Sequence, residues 1–426
     1  MALEFETPEL TAEVLAAGAP EALDAVLTKM SRFAPAFGAA DVRGHKLFVN
    51  GLDDTIPHIA TTLQLADRRG EKSNDNVCVI ATQLYGVGGH SKVVADITRL
   101  IGAEKVSLIL TDLYGNIAYR RLIGEDMAAR GYHCRALLAL KAPSVLDRTI
   151  ELYRLLCAIK PTRIFLLHHH MDVCAVAATY PFRHVTEFVH HADHLPSLGA
   201  TVRYSAHVDL TYTCHLACRE AGLPAIYAAM TLPDLKTSKA AAKESSGRLR
   251  VATCGGAGKY RNEGRESLRR WTDWVIPVLR SPEAEVVHIG PWDDPLRDDI
   301  HGALSAAGLD PARYVFLGPV PSLQAALREQ KVDIYLGSYP EVGARAILEA
   351  MAVGIPAIVP IEAELGPLLT YGSPLSGWLA VHHPDELPGA INAALELAAK
   401  MAKPEFSARL SEEMTRFETY VTAPVV

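Results

Sequence analysis

Two glutamates, Glu341 and Glu349, have the spacing and the setting of groups that act on a bound ligand. They lie in Gly337-Ser-Tyr-Pro-Glu341-Val-Gly-Ala-Arg-Ala-Ile-Leu-Glu349-Ala-Met-Ala-Val-Gly-Ile-Pro-Ala-Ile-Val359. Before it, Val332 to Leu336 reads as a short buried strand. Pro340 fixes φ near a helical value where a missing N–H costs little. Ala344 to Val353 is rich in helix formers, Gly354 and Pro356 stop it, and Ala357 to Val359 reads as the next strand. In an open parallel sheet the ligand crevice lies at the carboxyl ends of strands, where this helix begins. The N–H groups around Val342, Gly343 and Ala344 would therefore face an anion such as a diphosphate. Glu341 stands at that mouth, with Glu349 about 12 Å further along a helix rising 1.5 Å per residue.

Two glycine-rich segments follow strands in the same way. Cys254-Gly255-Gly256-Ala-Gly258-Lys259-Tyr-Arg261 leaves room for a diphosphate, and Lys259 and Arg261 carry charge that would neutralise it. Leu84-Tyr-Gly86-Val-Gly88-Gly89-His90-Ser91 lets backbone approach a ligand closely. Gly86-x-Gly88-x-x-Ser91, with Asp112 ending the next strand, partly matches a dinucleotide fingerprint. Ser91 replaces the third glycine, however, and the run from Ala81 to Gly86 is long for that tight turn, which argues against NAD.

Histidines are concentrated at two strand ends. His168-His-His170 closes the apolar Phe165-Leu-Leu, and Asp172 is placed to cap the following helix. His190-His191-Ala-Asp193-His194 closes a strand beginning near His184. Adjacent histidines on a strand point to opposite faces, and neither run has a helical His-x3-His pair, so no metal site is expected there. Structural histidines remain an alternative. The other reading is contact with a sugar or acceptor (His168, His170, His190) and removal of an acceptor proton by His191 with Asp193, for which an imidazole pKa near 6.5 is suited. Cys214-His215-x-x-Cys218 reads as one face of a helix.

The elements that must position these groups alternate. Residues 1–70 form an opening segment, helical over Thr11 to Ala17, Pro20 to Phe33 and Asp54 to Ala66, with no recognisable chemistry. It is a packing or dimerisation element or an acceptor-recognition appendage. Strands are expected at Val77 to Ala81, Val106 to Leu110, Cys134 to Leu138, Arg163 to Leu167, His184 to His190 and Leu210 to Thr213, with helices between them such as Val145 to Ile159 and Lys92 to Ile101. This is the pattern of a mostly parallel sheet, covering 71–235. A polar, small-residue linker, Leu235 to Gly247, leads to a second alternation over 236–404. Its strands are Leu249 to Cys254, Val286 to Gly290, Val315 to Leu317, Ile334 to Gly337 and Ala357 to Val359. A final helix, Glu405 to Tyr420, occupies 405–426.

Glutamate, seven residues, glutamate, then Ala-Met-Ala-Val-Gly-Ile-Pro resembles the nucleotide-binding helix of GT-B glycosyltransferases, above all the family 4-like group. The resemblance is strong over 332–359 and weaker across 77–405. It implies an α/β GT-B fold of two facing Rossmann-like domains with a central cleft, here with an N-terminal helical extension and a C-terminal helix crossing back. It assigns Glu341 to the donor sugar and Glu349 to the ribose hydroxyls. Gly256, Lys259 and Arg261 would meet the donor phosphates, and Gly88 and Gly89 would sit at the cleft. The activity implied is sugar transfer from a nucleoside-diphosphate sugar, a UDP-sugar favoured over a GDP-sugar, to an acceptor hydroxyl or similar nucleophile, with retention of configuration. The donor is substrate, so no cofactor is expected, and the phosphate charge needs no metal. Where the family has Glu-Gly-aromatic-Gly, this chain has Glu341-Val-Gly-Ala-Arg345, with Gly343 in place of the loop glycine. A nucleotide-sugar epimerase of similar fold and a non-catalytic sugar-nucleotide-binding protein are the alternatives.

Composition agrees with an enzyme of this size. The chain has 426 residues, 49% hydrophobic and 21% charged, enough for two cores. A net charge of −7 argues against a nucleic-acid partner. Seven scattered cysteines read as reduced thiols in a cytoplasmic protein, not as a disulfide framework. There is no signal-like N-terminus and no apolar run of membrane-spanning length. Peripheral membrane contact and a homodimer stay open, as do glycan, lipid-linked, protein and small-molecule acceptors; the 7% aromatic content shows no stacking platform for a long glycan.

Overall fold

A computed structural model describes residues 6–33, 47–69, 71, 75–85, 89–115, 131–191, 195–230, 232, 247–262, 268–361 and 377–424. The chain divides into two compact units, Met1–Thr231 with Thr415–Val426, and Leu232–Met414. Most of the linker expected at 235–247 lies outside the described residues.

The first unit holds a seven-stranded parallel sheet in the order β3-β2-β1-β4-β5-β6-β7. The strands are β1 (Val77–Ala81), β2 (Val106–Leu110), β3 (Ala136–Ala139), β4 (Arg163–Leu167), β5 (Thr186–His190), β6 (Ala206–Asp209) and β7 (Ala225–Tyr227). β1, β2, β4 and β5 are buried at every residue, as apolar runs in a sheet covered on both faces must be. Helix starts are fixed by side-chain caps: Ser144 Oγ accepts from Asp147 N at 3.0 Å, and Asp172 Oδ1 accepts from Ala175 N at 3.0 Å. The capping role expected of Asp172 is therefore present.

Leu210 to Thr213 is not a strand. The strand is Ala206–Asp209, and Thr211 caps a helix over Tyr212–Glu220 by accepting from Cys214 N. A polar strand, Ala-His-Val-Asp, was less visible than the apolar residues after it.

The opening helices, Pro8–Ala16, Pro20–Ser31, Asn50–Asp53 and Ile56–Thr62, belong to this unit and bury Leu23, Leu27, Met30, Leu52, Ile56 and Ile59. Polar ties fix them as well. The buried Asp53 carboxylate accepts from the backbone N–H groups of Gly199 and Thr201 at 2.5 and 2.8 Å, and Asp24 accepts from Leu146 N. The end of the last helix, Pro404–Thr422, is held by Arg163 at the start of β4. Its guanidinium pairs with Glu187 at 2.5 and 3.0 Å and donates to the Val421 carbonyl at 2.7 Å.

The second unit has a six-stranded parallel sheet, β10-β9-β8-β11-β12-β13, from β8 (Leu249–Cys254), β9 (Ala284–Ile289), β10 (Tyr314–Gly318), β11 (Ile334–Leu336), β12 (Ala357–Pro360) and β13 (Trp378–Val381). The helix Trp271–Leu279 packs Trp271, Trp274, Val275 and Val278 into a core with Val251, Val286, Ile334, Leu336 and Ile358. In each sheet the order reverses once, beside β1 and β4 in the first and β8 and β11 in the second. The crevice at such a reversal is where open α/β sheets bind ligands. Both glycine-rich segments, the first histidine run and the Glu341 segment follow those four strands.

Candidate active site

At the reversal in the second unit, the segment after β8 meets the segment after β11. Gly255 N donates to the Ile289 carbonyl at 3.0 Å, and Ala257–Tyr260 forms one tight 3-10 turn. Gly290, at φ +129°, lies so near that a Cβ on it would come within 2.5 Å of the Gly255 oxygen. Only glycine lets the two backbones approach like this. His288 braces the same point: its Nε2–H donates to the Gly255 carbonyl and its Nδ1 accepts from Tyr314 Oη, both at 3.0 Å, while Trp271 Nε1 donates to that hydroxyl. Burial lowers the His288 pKa to about 4, so the ring is neutral near pH 7.

The helix after β11 spans Ala344–Ala352, with Gly343 as its N-cap and no side chain capping it. It begins three residues after Glu341, which sits in a bend after a cis Tyr339–Pro340 bond. Pro340 therefore does not open the helix, and helical rise does not set the Glu341–Glu349 spacing. Glu341 N donates to the Lys259 carbonyl at 3.3 Å, and Ser338 Oγ donates to the Glu341 carbonyl at 2.6 Å. The Lys259 ammonium lies over Gly343, where a Cβ would stand 3.1 Å from Nζ. Among the described residues no carboxylate pairs with Lys259. A lysine charge and the positive end of a helix thus converge on one spot, together with half-buried Val342 and Ala344.

Two other expected site residues are committed to protein partners. Arg261 pairs with Asp293, the residue whose carboxylate caps the helix Asp294–Ala306. Glu349 is 6% exposed and its Oε1 receives Arg345 Nε at 3.0 Å, one helical turn away. A Cβ on Gly256 would meet Pro291 Cγ at 3.7 Å, an ordinary van der Waals distance.

At the reversal in the first unit, Thr82 and Thr111 both donate to Asp172 Oδ2, at 2.6 and 2.5 Å, and Thr82 Oγ1 accepts from His169 N at 2.8 Å. This ties the ends of β1, β2 and β4 together. Around them His90, His169 and His191 form a cluster, with ring centroids 4.7 Å (His90–His169) and 4.8 Å (His90–His191) apart. Tyr85 Oη lies 2.8 Å from His169 Nε2 and receives Gln83 Nε2 at 2.5 Å. Desolvation holds all three imidazoles neutral: the pKa falls to about 4 at His90 and about 2 at His169, and well below the usual value at His191.

The histidine runs split by strand parity. His168 is 2% exposed and packs edge-on to Phe188; His190 is 1% exposed and lies among Phe48, Phe188 and His207. Both were expected to contact a sugar or acceptor, and both lie in the core of the first unit. His170 is half-buried. Asp193 and Gly88 lie outside the described residues, and Gly89 opens the helix Gly89–Ile101. His90 and His169 are the cluster members that spacing alone did not single out. His169 is the middle of three histidines, and only the turn after β4 decides which of them faces His90.

No protein-family model matches the chain, and no curated protein matches it. Solved structures do. Anabaena HepE in complex with UDP and glucose superposes with a TM-score of 0.57 at 14% identity, over 81% of this chain and 96% of that one. The lipopolysaccharide outer core galactosyltransferase WaaB, in its apo form, gives 0.55 at 14% identity over 81% and 98%. A glycosyltransferase from Rickettsia africae gives 0.57 at 11% identity over 82% and 96%. Two parallel sheets, each flanked by helices, and these likenesses together give the chain the α/β fold of the GT-B glycosyltransferases.

Proposed function

We propose that this protein is a glycosyltransferase that moves a sugar from a nucleoside-diphosphate sugar, a UDP-sugar by preference, to an acceptor nucleophile. The observation that carries the reading is the Lys259 ammonium lying over Gly343 at the uncapped start of the Ala344–Ala352 helix. A diphosphate there would accept hydrogen bonds from helix N–H groups and meet the lysine charge without a metal ion. The UDP and glucose bound by HepE support the choice of donor.

In this scheme Glu341, fixed through both its backbone N–H and its carbonyl, presents its carboxylate to the donor sugar. Glu349, partly neutralised by Arg345, stands beside the ribose. Arg261 acts through Asp293, ordering the phosphate loop instead of reaching the phosphate itself. Lys259 and the helix terminus stabilise the charge that grows on the departing nucleotide, which lowers the barrier to leaving. The neutral imidazoles His90, His169 and His191, with Tyr85, offer hydrogen bonds to an acceptor on the first unit. A neutral imidazole also serves to take the acceptor proton, the part given to His191 with Asp193. We place the reaction among retaining transfers, in line with the Glu341 and Glu349 pattern.

Incubation with a panel of UDP- and GDP-sugars tests the reading, with released nucleotide measured as acceptors are varied. Acceptor-dependent release that disappears in Glu341→Gln supports it. Interconversion of the sugar nucleotide with no acceptor would make the protein an epimerase, and binding without turnover a non-catalytic receptor. NMR of the first-turnover product reads its anomer, and inversion would remove the retaining assignment.

A further inference from the structure

Away from the donor loop, the first unit contains a second group of side chains whose chemistry the transfer reaction does not use. His190, His207, Asp209 and Cys218 each offer one ligand atom, and those four atoms lie within 4.8 Å of one another. All four residues are 1% exposed or less. They come from the end of β5, from β6 and from the helix Tyr212–Glu220. His207 and Asp209 are two apart on β6, so they share one face of the sheet.

Three of the separations within the group are close to the edges of a coordination polyhedron. His207 Nδ1 is 3.2 Å from Asp209 Oδ1, His190 Nδ1 is 3.5 Å from the same oxygen, and His190 Nδ1 is 3.3 Å from Cys218 Sγ. A tetrahedral zinc with bonds of about 2.0–2.3 Å has ligand-to-ligand edges of roughly 3.3–3.7 Å. An outer partner is also in place. His207 Nε2 lies 2.8 Å from the Ala200 carbonyl, which only accepts, so Nε2 carries the proton. Nδ1 of the same ring faces Asp209 Oδ1 at 3.2 Å, so both atoms are directed at the same small volume. His215 Nδ1, 3.5 Å from Asp209 Oδ2, flanks the carboxylate from the same helix as Cys218.

We infer that His190, His207, Asp209 and Cys218 form a buried structural site for a divalent zinc-type cation. Histidine, cysteine and carboxylate together suit zinc better than calcium or magnesium, which take oxygen ligands. With Cys218 as thiolate and Asp209 as carboxylate, two negative ligands balance the ion's charge. Four protein ligands leave no open position for water, so the ion would clamp β5, β6 and the following helix without activating a nucleophile. The expectation of no metal in the histidine runs took the ligands to be neighbours in sequence. Here His190 turns away from His191 to meet residues from two later elements.

The test is metal analysis of the full-length protein purified from zinc-supplemented growth, with cobalt-supplemented growth in parallel. The inference expects about one equivalent of zinc per chain, a melting temperature that falls on chelation and recovers when zinc is returned. The cobalt form should show tetrahedral d–d absorption and a thiolate-to-cobalt band, and Cys218→Ser should lose that band. A folded protein with no zinc, no cobalt uptake and no response to chelator overturns the inference and leaves an imidazolium–carboxylate pair at Asp209. If Cys218→Ser does not fold, the wild-type metal content and cobalt spectrum still decide. Neither outcome alters the donor-site reading, which is scored by nucleotide binding.

Discussion

Lys259 and Gly343 stand in contact although they are 84 residues apart: the lysine ammonium covers the glycine that starts the Ala344–Ala352 helix, and a Cβ there would lie 3.1 Å from Nζ. The pair joins the loop after β8 to the helix after β11 at the point where strand order reverses. Removing the charge should therefore act on an anionic ligand and hardly on the fold. Lys259→Ala is expected to weaken nucleoside diphosphate binding by about 1.4–2.8 kcal/mol, roughly 10- to 100-fold. Its melting temperature should stay close to wild type, since Lys259 has no ion-pair partner among the described residues to lose. Differential scanning with and without UDP reads both quantities in one experiment.

Glu341 should separate binding from turnover. Its backbone is pinned by the Lys259 carbonyl and Ser338 Oγ, so Glu341→Gln should keep the local conformation. Transfer is expected to fall by at least about 100-fold while UDP affinity changes little. Unchanged turnover would take Glu341 out of the site.

Gly290 tests the architecture of the phosphate loop. Its φ of +129°, and the mere 2.5 Å that would separate an added Cβ from the Gly255 oxygen, leave no relaxed place for a side chain. Gly290→Ala should destabilise the second unit by at least about 2 kcal/mol. All four tryptophans, at 271, 274, 292 and 378, lie in that unit, so denaturation followed by intrinsic fluorescence reports on it directly.

The Arg345–Glu349 pair gives a contrast between single and double variants. Both side chains are about one-tenth exposed or less. Arg345→Ala alone removes the Nε–Oε1 hydrogen bond and its charge from a buried carboxylate and should cost about 1.5–3 kcal/mol, whereas Arg345→Met with Glu349→Gln should recover most of that loss. Equal losses in the single and double variants would show that the two charges are not coupled.

His288 sets an acid limit. Its folded pKa, near 4, lies below the unfolded value near 6.5, so between these values the unfolded chain binds more protons. The second unit should thus hold its full stability from this group above about pH 6.5 and lose up to about 3 kcal/mol as pH falls toward 4. Imidazole NMR checks the cause: the His288 resonances should not titrate above about pH 5. A midpoint near 6.5 in the folded protein would contradict it.

Much of the scaffold was legible because buried parallel strands announce themselves as unbroken apolar runs. Val77–Ala81, Val106–Leu110, Arg163–Leu167 and Leu249–Cys254 have the expected limits. The helix Val145–Ile159 does too, its start marked by Ser144 and Asp147. Harder to read were elements without that contrast. Ala206–Asp209 is half polar, and Ala225–Tyr227 and Trp378–Val381 are short strands at sheet edges. Within the site, sequence position brought forward Lys259 and Glu341. It gave no sign that Arg261 is taken by Asp293 or Glu349 by Arg345, since those partners depend on side-chain reach. The histidine runs showed where imidazoles gather but not their facing, which turns on one residue of strand parity.

The most direct test of the central claim is calorimetric titration of UDP, GDP, ADP and NAD into wild type and Lys259→Ala, with and without Mg²⁺. The account predicts that UDP binds wild type without Mg²⁺ and that Lys259→Ala loses at least about tenfold in affinity. Binding of NAD alone, or UDP binding indifferent to Lys259, would contradict it.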